Sequence, residues 1–334
     1  MSRKTAYLLA ISMIAALLVS VPAALVFVPK NNGVPYRLTV EKGQGFAAVG
    51  RQLAEKEQVF SRWGVLLAAY LNGTQNQLAP GSYRLPARVS AWEIVRRLSS
   101  AGPDMVRIQI VEGMRFAQMR RIINQTADLK HDTAGWSDEK LLKEIDPEAG
   151  YTRAEGLFAP DSYELDAGSS DLQLYKLAYR TMQKNLNQAW EERQSGLPYK
   201  TPYELLTMAS IIEKETAHEE DRANVAAVFV NRLNQGMRLQ TDPTVIYGMG
   251  SAYNGRIRKA DLRRDTPYNT YINKGLPPTP IALPGEAALQ AAAHPSGADY
   301  LYFVSRMDNT GKSEFSRTLD EHNANVRRYI LKRP

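Results

Sequence analysis

The chain contains no cysteine. It therefore forms no disulfide, presents no thiol nucleophile, builds no Cys-ligated metal site and offers no cysteine for a lipid anchor. A chain with about 300 residues outside a membrane can bury a sufficient core without such staples. Histidine is scarce too. His131, His218, His294 and His322 are the four present, and none of them has the i, i+4 partner that sets two metal ligands on one helical face. A His-rich zinc centre is thus not expected, nor is any other metal site built from Cys or His.

Acidic residues are in the minority. The sequence has 42 Lys and Arg against 35 Asp and Glu, a formal net charge of +7. Charge of either sign is missing altogether from Thr5 to Pro29, between Arg3 and Lys4 on one side and Lys30 on the other. At about 1.5 Å per helical residue, residues 5–29 can span a bilayer core of roughly 30 Å. A cleavable leader usually has a shorter apolar region, although Val21-Pro22-Ala23-Ala24 could mimic a cleavage site. With the positive charges preceding the span, residues 1–4 form a cytoplasmic tail and the rest lies outside. An exported domain seldom meets nucleic acid, so the basic balance points to anionic lipid head groups or an anionic extracellular polymer.

After a linker at 30–35, Tyr36–Val40 reads as a strand, and helical patterns follow through Phe46, Val49 and Leu53 and again from Trp63 to Leu71. Gly81–Leu85 is a second strand, and Ser90-Ala91-Trp92-Glu93 opens a helix with the signature of a capping box. Strand, two helices, strand makes a small βααβ module over 36–103, ended by the turn residues Ala101-Gly102-Pro103. Its Val40–Val49 segment is echoed by Val111–Met119, each a strand, a glycine turn and a helix. Residues 104–334 suffice for one further α+β domain. Helices are expected at 172–193, 202–217 and 221–234. An ordered loop anchored by Tyr268, Tyr271 and Ile281 covers 266–285, and Tyr300–Val304 leads into a hairpin through Asp308–Lys312.

The most informative motif is Glu213-Lys214-Glu215, at the end of the apolar run Leu205–Ile212. Helical residues turn by about 100°, which puts Glu215 between Met208 and Ile211 in projection, with Lys214 turned away from it and Glu213 flanking the stripe from the other side. A carboxylate on a core-facing side is costly to bury and has its pKa raised, as a general acid working near neutral pH requires. A surface glutamate on an ordinary amphipathic helix has the same periodicity. Around this helix the sequence gathers side chains able to hold a sugar: Asn231, Arg232, Gln240, Thr241, Asp242, Tyr247, Asn269 and Tyr271. Each alone is compatible with capping or turn chemistry. Asp161 after Pro160 and Glu155 before Gly156 are likewise either turn formers or cleft residues. Glycoside cleavage ordinarily takes two carboxylates. No partner of Glu215 is marked by periodicity, and one carboxylate suffices if the substrate supplies its own nucleophile.

The blocks Ala209–Thr216, Val230-Asn231-Arg232-Leu233, Met237–Gly248, Tyr268-Asn269-Thr270-Tyr271, Gly275-Leu276-Pro277-Pro278 and Tyr300–Val304 resemble the membrane-bound endolytic murein transglycosylases, the MltG or YceG-like family. The resemblance covers nearly the whole chain and implies a single transmembrane helix, a LysM-like module and a larger mixed α+β catalytic domain. It further implies that Glu215 is catalytic and that the bond between N-acetylmuramic acid and N-acetylglucosamine in nascent peptidoglycan is cleaved. The product carries a 1,6-anhydro-muramyl end, no cofactor is used, and membrane-bound peptidoglycan synthases are the expected partners in the inner membrane. Asn231, Gln240, Thr241, Asp242, Tyr247, Asn269 and Tyr271 are the expected substrate contacts. Ser313-Glu314-Phe315 departs from relatives that carry a His nearby, so no role of that His transfers. A muramidase using water, with Asp242 or Glu213 as second carboxylate, and a silent wall-binding scaffold are the competing readings.

Overall fold

The computed structural model describes residues 3–100, 102–216 and 218–331. Met1 and Ser2 of the expected tail, Ala101 of the expected boundary, Ala217 of the expected helix and the last three residues lie outside them. The chain divides into two compact units, the first comprising Met1–Arg107, Asp128–Lys130 and Glu164–Ser169, the second Ile108–Ala127, His131–Tyr163 and Ser170–Pro334. The expected division at 103/104 and this one differ because two later segments return to the first unit: the Lys130 amide donates to the Ser169 carbonyl, and Arg37 pairs with Asp128.

In the first unit, α1 (Arg3–Phe27) contains the apolar stretch Tyr7–Phe27, long and apolar enough to cross a membrane. β1 (Lys30–Asn31), β2 (Tyr36–Val40), α2 (Phe46–Glu55), α3 (Arg62–Leu71), β3 (Gly81–Leu85), β4 (Arg88–Val89) and α4 (Ala91–Ser100) follow. The expected 30–35 linker is not free chain, because β1 pairs antiparallel with β4 and the Asn32 amide donates to the Ala87 carbonyl. β2 and β3 pair antiparallel from Tyr36 opposite Leu85 to Val40 opposite Gly81. That register sends Leu38, Val40, Tyr83 and Leu85 inward against Phe46, Val49, Leu53, Val65, Ile94 and Leu98, all buried. Each such side chain contributes about 1.5–3 kcal/mol relative to exposure. The capping box forms as read: the Glu93 amide donates to Ser90 Oγ at 3.2 Å and the Ser90 amide to Glu93 Oε2 at 2.8 Å.

β5 (Met105–Ile110) leads through Gly113 to α5 (Phe116–Gln125), then α6 (Asp138–Ile145) and β6 (Asp161–Asp166), which pairs with β5. The repeated strand-glycine-helix pattern has one backbone solution in both places, with Gly43 at φ 86° and Gly113 at φ 72°, the left-handed region glycine enters without penalty. The second unit continues with α7 (Asp171–Glu191), α8 (Pro202–Glu215), α9 (Glu219–Asn234), α10 (Asp242–Met249), α11 (Glu286–Ala293), β7 (Tyr302–Ser305), β8 (Ser313–Ser316) and α12 (Leu319–Asn325). β7 and β8 form the expected hairpin.

α8 is the axis of this unit. Periodicity suggested a stripe, yet every residue from Leu205 to Ile212 is buried, because α7, α9, α10 and α11 pack around it. Its polar members are satisfied internally: Thr207 donates to the Tyr203 carbonyl, while Ser210 donates to the Thr207 carbonyl and accepts from the Ile281 amide. That last bond pins the Thr266–Gly285 loop to the helix, with Ile281 buried beside it. Asp242-Pro243 begins α10, where proline fits because a first-turn amide has no helical partner.

Candidate active site

Glu215 is the last residue of α8, where the helix leaves the core. Lys214 points away, its Nζ donating to the Gly113 carbonyl at 3.1 Å, and Glu213 accepts from the Gly285 amide at 3.0 Å. Glu215 is enclosed by protein on most sides with an edge left open to a cavity of about 450 Å³. Gln240, Asp242 and Tyr271 line that cavity with it, as do Phe229, Arg232, Leu239, Tyr302, Phe303, Leu319 and His322. The volume falls in the range of small-ligand sites, and the lining combines aromatic faces with a few convergent polar groups.

Burial raises the Glu215 carboxyl from an ordinary 4.5 to about 7. The Thr241 hydroxyl donates to Oε1 and opposes the rise by favouring the ionised form, the negative charge of Asp242 adds to it, and Arg232 opposes it. Desolvation prevails because a carboxylate loses more by leaving water than one hydroxyl returns. Thr241 is aimed by its backbone. Gln240 has φ 53°, its amide donates to the Thr270 carbonyl, and the Thr241 amide donates to Thr270 Oγ1 at 3.1 Å. Thr244 Oγ1 closes the network, 2.8 Å from Thr270 Oγ1 and donating to the Thr241 carbonyl.

Tyr271 donates to Asp242 Oδ1 at 2.6 Å, holding both at the cavity wall. Arg232 is buried and fixed by the Leu239 and Leu301 carbonyls, each 2.7 Å away, with its guanidinium 5.1 Å from the Tyr302 ring centre. His322 stacks on the other partner of that contact, ring centres of Tyr302 and His322 being 5.2 Å apart, and desolvation followed by the Arg232 charge lowers its pKa.

Three expected contacts stand elsewhere. The Asn231 amide donates to the Ala298 and Tyr300 carbonyls, both at 2.9 Å, tying α9 to the approach of β7. Asn269 is buried and donates to the carbonyls of Arg264, Leu262 and Asp261, so it shapes the loop that presents Thr270 and Tyr271. Tyr247 donates to Glu155 Oε2 at 3.2 Å and carries the Arg115 guanidinium 4.9 Å over its ring. Glu155 is a second buried carboxyl, accepting also from the Phe116 amide at 2.8 Å; burial raises it to about 7 against those two bonds.

Sequence reasoning missed Phe229, Tyr302, Phe303, Leu319 and His322 as cavity residues. The aromatic run at 300–304 was visible as a strand, but nothing local to it specifies which face looks toward Glu215. Among the described residues no group of three or more His, Cys, Asp or Glu is arranged to hold a metal ion.

Residues 38–328 match the sequence model of the YceG-like family. The chain is 30% identical over 325 residues to an endolytic murein transglycosylase of Bacillus subtilis strain 168, covering 91% of this chain and 87% of that protein. It is 29% identical over 294 residues to the protein of the same name from Streptococcus pneumoniae strain D39, covering 79% of this chain and 52% of that relative's length. A crystal structure of a yceG-like protein from Listeria monocytogenes superposes with a TM-score of 0.55 at 28% identity, covering 87% of this chain and 98% of that one.

Proposed function

Because this chain belongs to the YceG-like family, we propose that it is an endolytic murein transglycosylase in which Glu215 serves first as general acid and then as general base. The observation that carries the reading is a carboxyl withdrawn from water, its pKa raised to about 7 by burial, with one edge on a cavity able to seat sugar rings. Oε1 accepts from Thr241, while Oε2 makes no hydrogen bond among the described residues, so Oε2 is the oxygen that carries the mobile proton.

Glu215 donates this proton to the glycosidic oxygen as the bond from the muramyl C1 breaks, leaving a free 4-hydroxyl on N-acetylglucosamine. The carboxylate then takes the proton of the muramyl 6-hydroxyl as O6 bonds to C1. The product is the 1,6-anhydro sugar, the acid returns to its starting form, and no water is consumed. Thr241 aids the second half by stabilising the carboxylate. Gln240, Asp242 and Tyr271 supply polar contacts, and the aromatic wall supplies faces for pyranose rings.

The apolar helix Tyr7–Phe27 supports an anchored form, with residues 1–4 in the cytoplasm, the span at 5–29 in the inner membrane and the remainder in the periplasm. There it would meet glycan strands emerging from membrane-bound synthases, the βααβ module acting as a LysM-like glycan contact. A water-using muramidase is the second reading, favoured by one observation: Asp242 shares the cavity with Glu215.

Mass spectrometry of purified peptidoglycan digested by the full chain separates them. Anhydro-muramyl ends produced by the native protein and absent with Glu215→Gln are expected. Reducing ends would establish hydrolysis instead, and cellular function retained by Glu215→Gln would point to a scaffold.

A further inference from the structure

α3 lacks a polar face. Its ten residues hold a single charge, Arg62, and one side packs inward through Gly64, Val65, Ala68 and Ala69. The other side leaves Trp63 at 60%, Tyr70 at 70% and Leu71 at 54% exposure, with Phe60 just ahead of them at 54%. A helix apolar on all sides belongs in a core or in lipid, and α3 has core on one side only.

The depth of this face is set by α1. A Cβ on Gly64 would lie 2.4 Å from the Leu25 carbonyl oxygen, so the two backbones touch. Val26 is fully buried in the core of the first unit, and Phe27 lies against Trp92 with ring centres 5.3 Å apart. Between the helices opens an apolar groove of about 560 Å³, walled by Trp63, Leu66, Leu67 and Tyr70 from α3 and by Pro22 and Leu25 from α1. Pro22 lies five residues before the end of the apolar stretch, which at 1.5 Å per residue is about 7 Å inside it. The groove therefore occupies the outermost layer of whatever α1 crosses. Interfacial helices seat their apolar faces about 5–10 Å deep, and Trp and Tyr concentrate at that level. Two cations lie over aromatic rings of the exposed face: Arg62 is 4.8 Å over Trp63, and Lys30 Nζ, which also donates to the Glu57 carbonyl, is 5.8 Å over Phe60.

We propose that α3 is a second membrane element, lying in the outer-leaflet interface of the bilayer that α1 spans, with phospholipid acyl chains in the groove and anionic head groups at Arg62 and Lys30. This rests on the anchoring reading above. It holds the first unit at a fixed height on the membrane instead of leaving it on a tether.

The absence of cysteine makes the test direct. Single substitutions Tyr70→Cys, Leu71→Cys, Leu17→Cys and Glu55→Cys in the full chain are labelled with a fluorophore and reconstituted in phosphatidylethanolamine–phosphatidylglycerol vesicles. Quenching by iodide in water is compared with quenching by nitroxide-bearing lipid. Labels at 70 and 71 are expected to be quenched by shallow lipid nitroxides and shielded from iodide at least threefold relative to position 55. Labels at 70 and 71 that match position 55 while position 17 stays in lipid overturn the proposal and leave the anchor standing. Iodide access at position 17 overturns the anchor, and the proposal with it.

Discussion

Glu215 and Glu155 are two carboxyls of one unit that burial has brought to the same value, about 7. Their surroundings differ. Glu155 spends both oxygens on fixed donors, the Phe116 amide and the Tyr247 hydroxyl, and it lies within packed protein at the start of α5. Glu215 spends one oxygen on Thr241 and faces a cavity with the rest. A raised pKa thus records desolvation in both places, but only the residue with an open edge can pass its proton to something that arrives. Candidate acids are better ranked by access and unspent hydrogen-bonding capacity than by titration alone.

The largest effect that tests this contrast is Glu215→Gln. It is nearly isosteric, removes the transferable proton, and is expected to cut release of anhydro-muropeptides on the order of 10³-fold with the fold retained by circular dichroism. Glu155→Gln keeps an acceptor for the Phe116 amide and a donor toward Tyr247, so turnover is expected within about threefold of native; a loss matching Glu215→Gln would erase the distinction. Glu155→Ala strands the Phe116 amide and is expected to cost about 1–3 kcal/mol in denaturant unfolding.

Both carboxyls also carry a pH signature. Between 4.5 and about 7 the folded chain holds protons that the unfolded chain has released, so stability falls as pH rises through that window and levels off above it. Each contributes at most about 3 kcal/mol to the fall. Replacing either by Gln should flatten its share in unfolding curves taken from pH 4 to pH 8. Only the Glu215 change should also remove the alkaline limb of the rate profile, where loss of the acid form lowers turnover above about 7.

Smaller shifts come from the neighbours of Glu215. Thr241→Val deletes the bond that favours the carboxylate, so the alkaline limb should move up by about one pH unit. Asp242→Asn removes a charge that raises Glu215 and should move the limb down by a fraction of that. A collapse of activity in Asp242→Asn as deep as that of Glu215→Gln, with reducing ends in the residual product, would make Asp242 the second carboxylate of a hydrolase.

Much of the fold was legible because its signals are local. The charge-free run at 5–29, the strand at 36–40 with its glycine turn, the Ser90–Glu93 box and the hairpin at 302–316 all depend on neighbours within a few residues. The projection of Glu215 between Met208 and Ile211, with Lys214 turned about 100° from it, followed from helical rotation alone. The burial of α8 on every side was not legible, because periodicity reports only one helix, whereas enclosure depends on how many others surround it. α11, rich in alanine, gave no contrast between faces to read. Asn231 and Asn269 share the chemistry of sugar contacts, but backbone carbonyls 67 and 5 residues away claim their amides.

The sequence by itself determined that the chain carries a membrane-length helix, that it offers no thiol, and that Glu215 projects between Met208 and Ile211 with Lys214 turned about 100° from it. Each follows from residue type and from spacings shorter than two helical turns. Only the tertiary structure decided that Glu215 opens on a cavity while Glu155 is sealed, and which of the sugar-like residues surround the acid. Enclosure is a property of elements far apart in the chain, here α8, α9, the Gln240 turn, β7 and α12, and no local pattern encodes the space they leave between them.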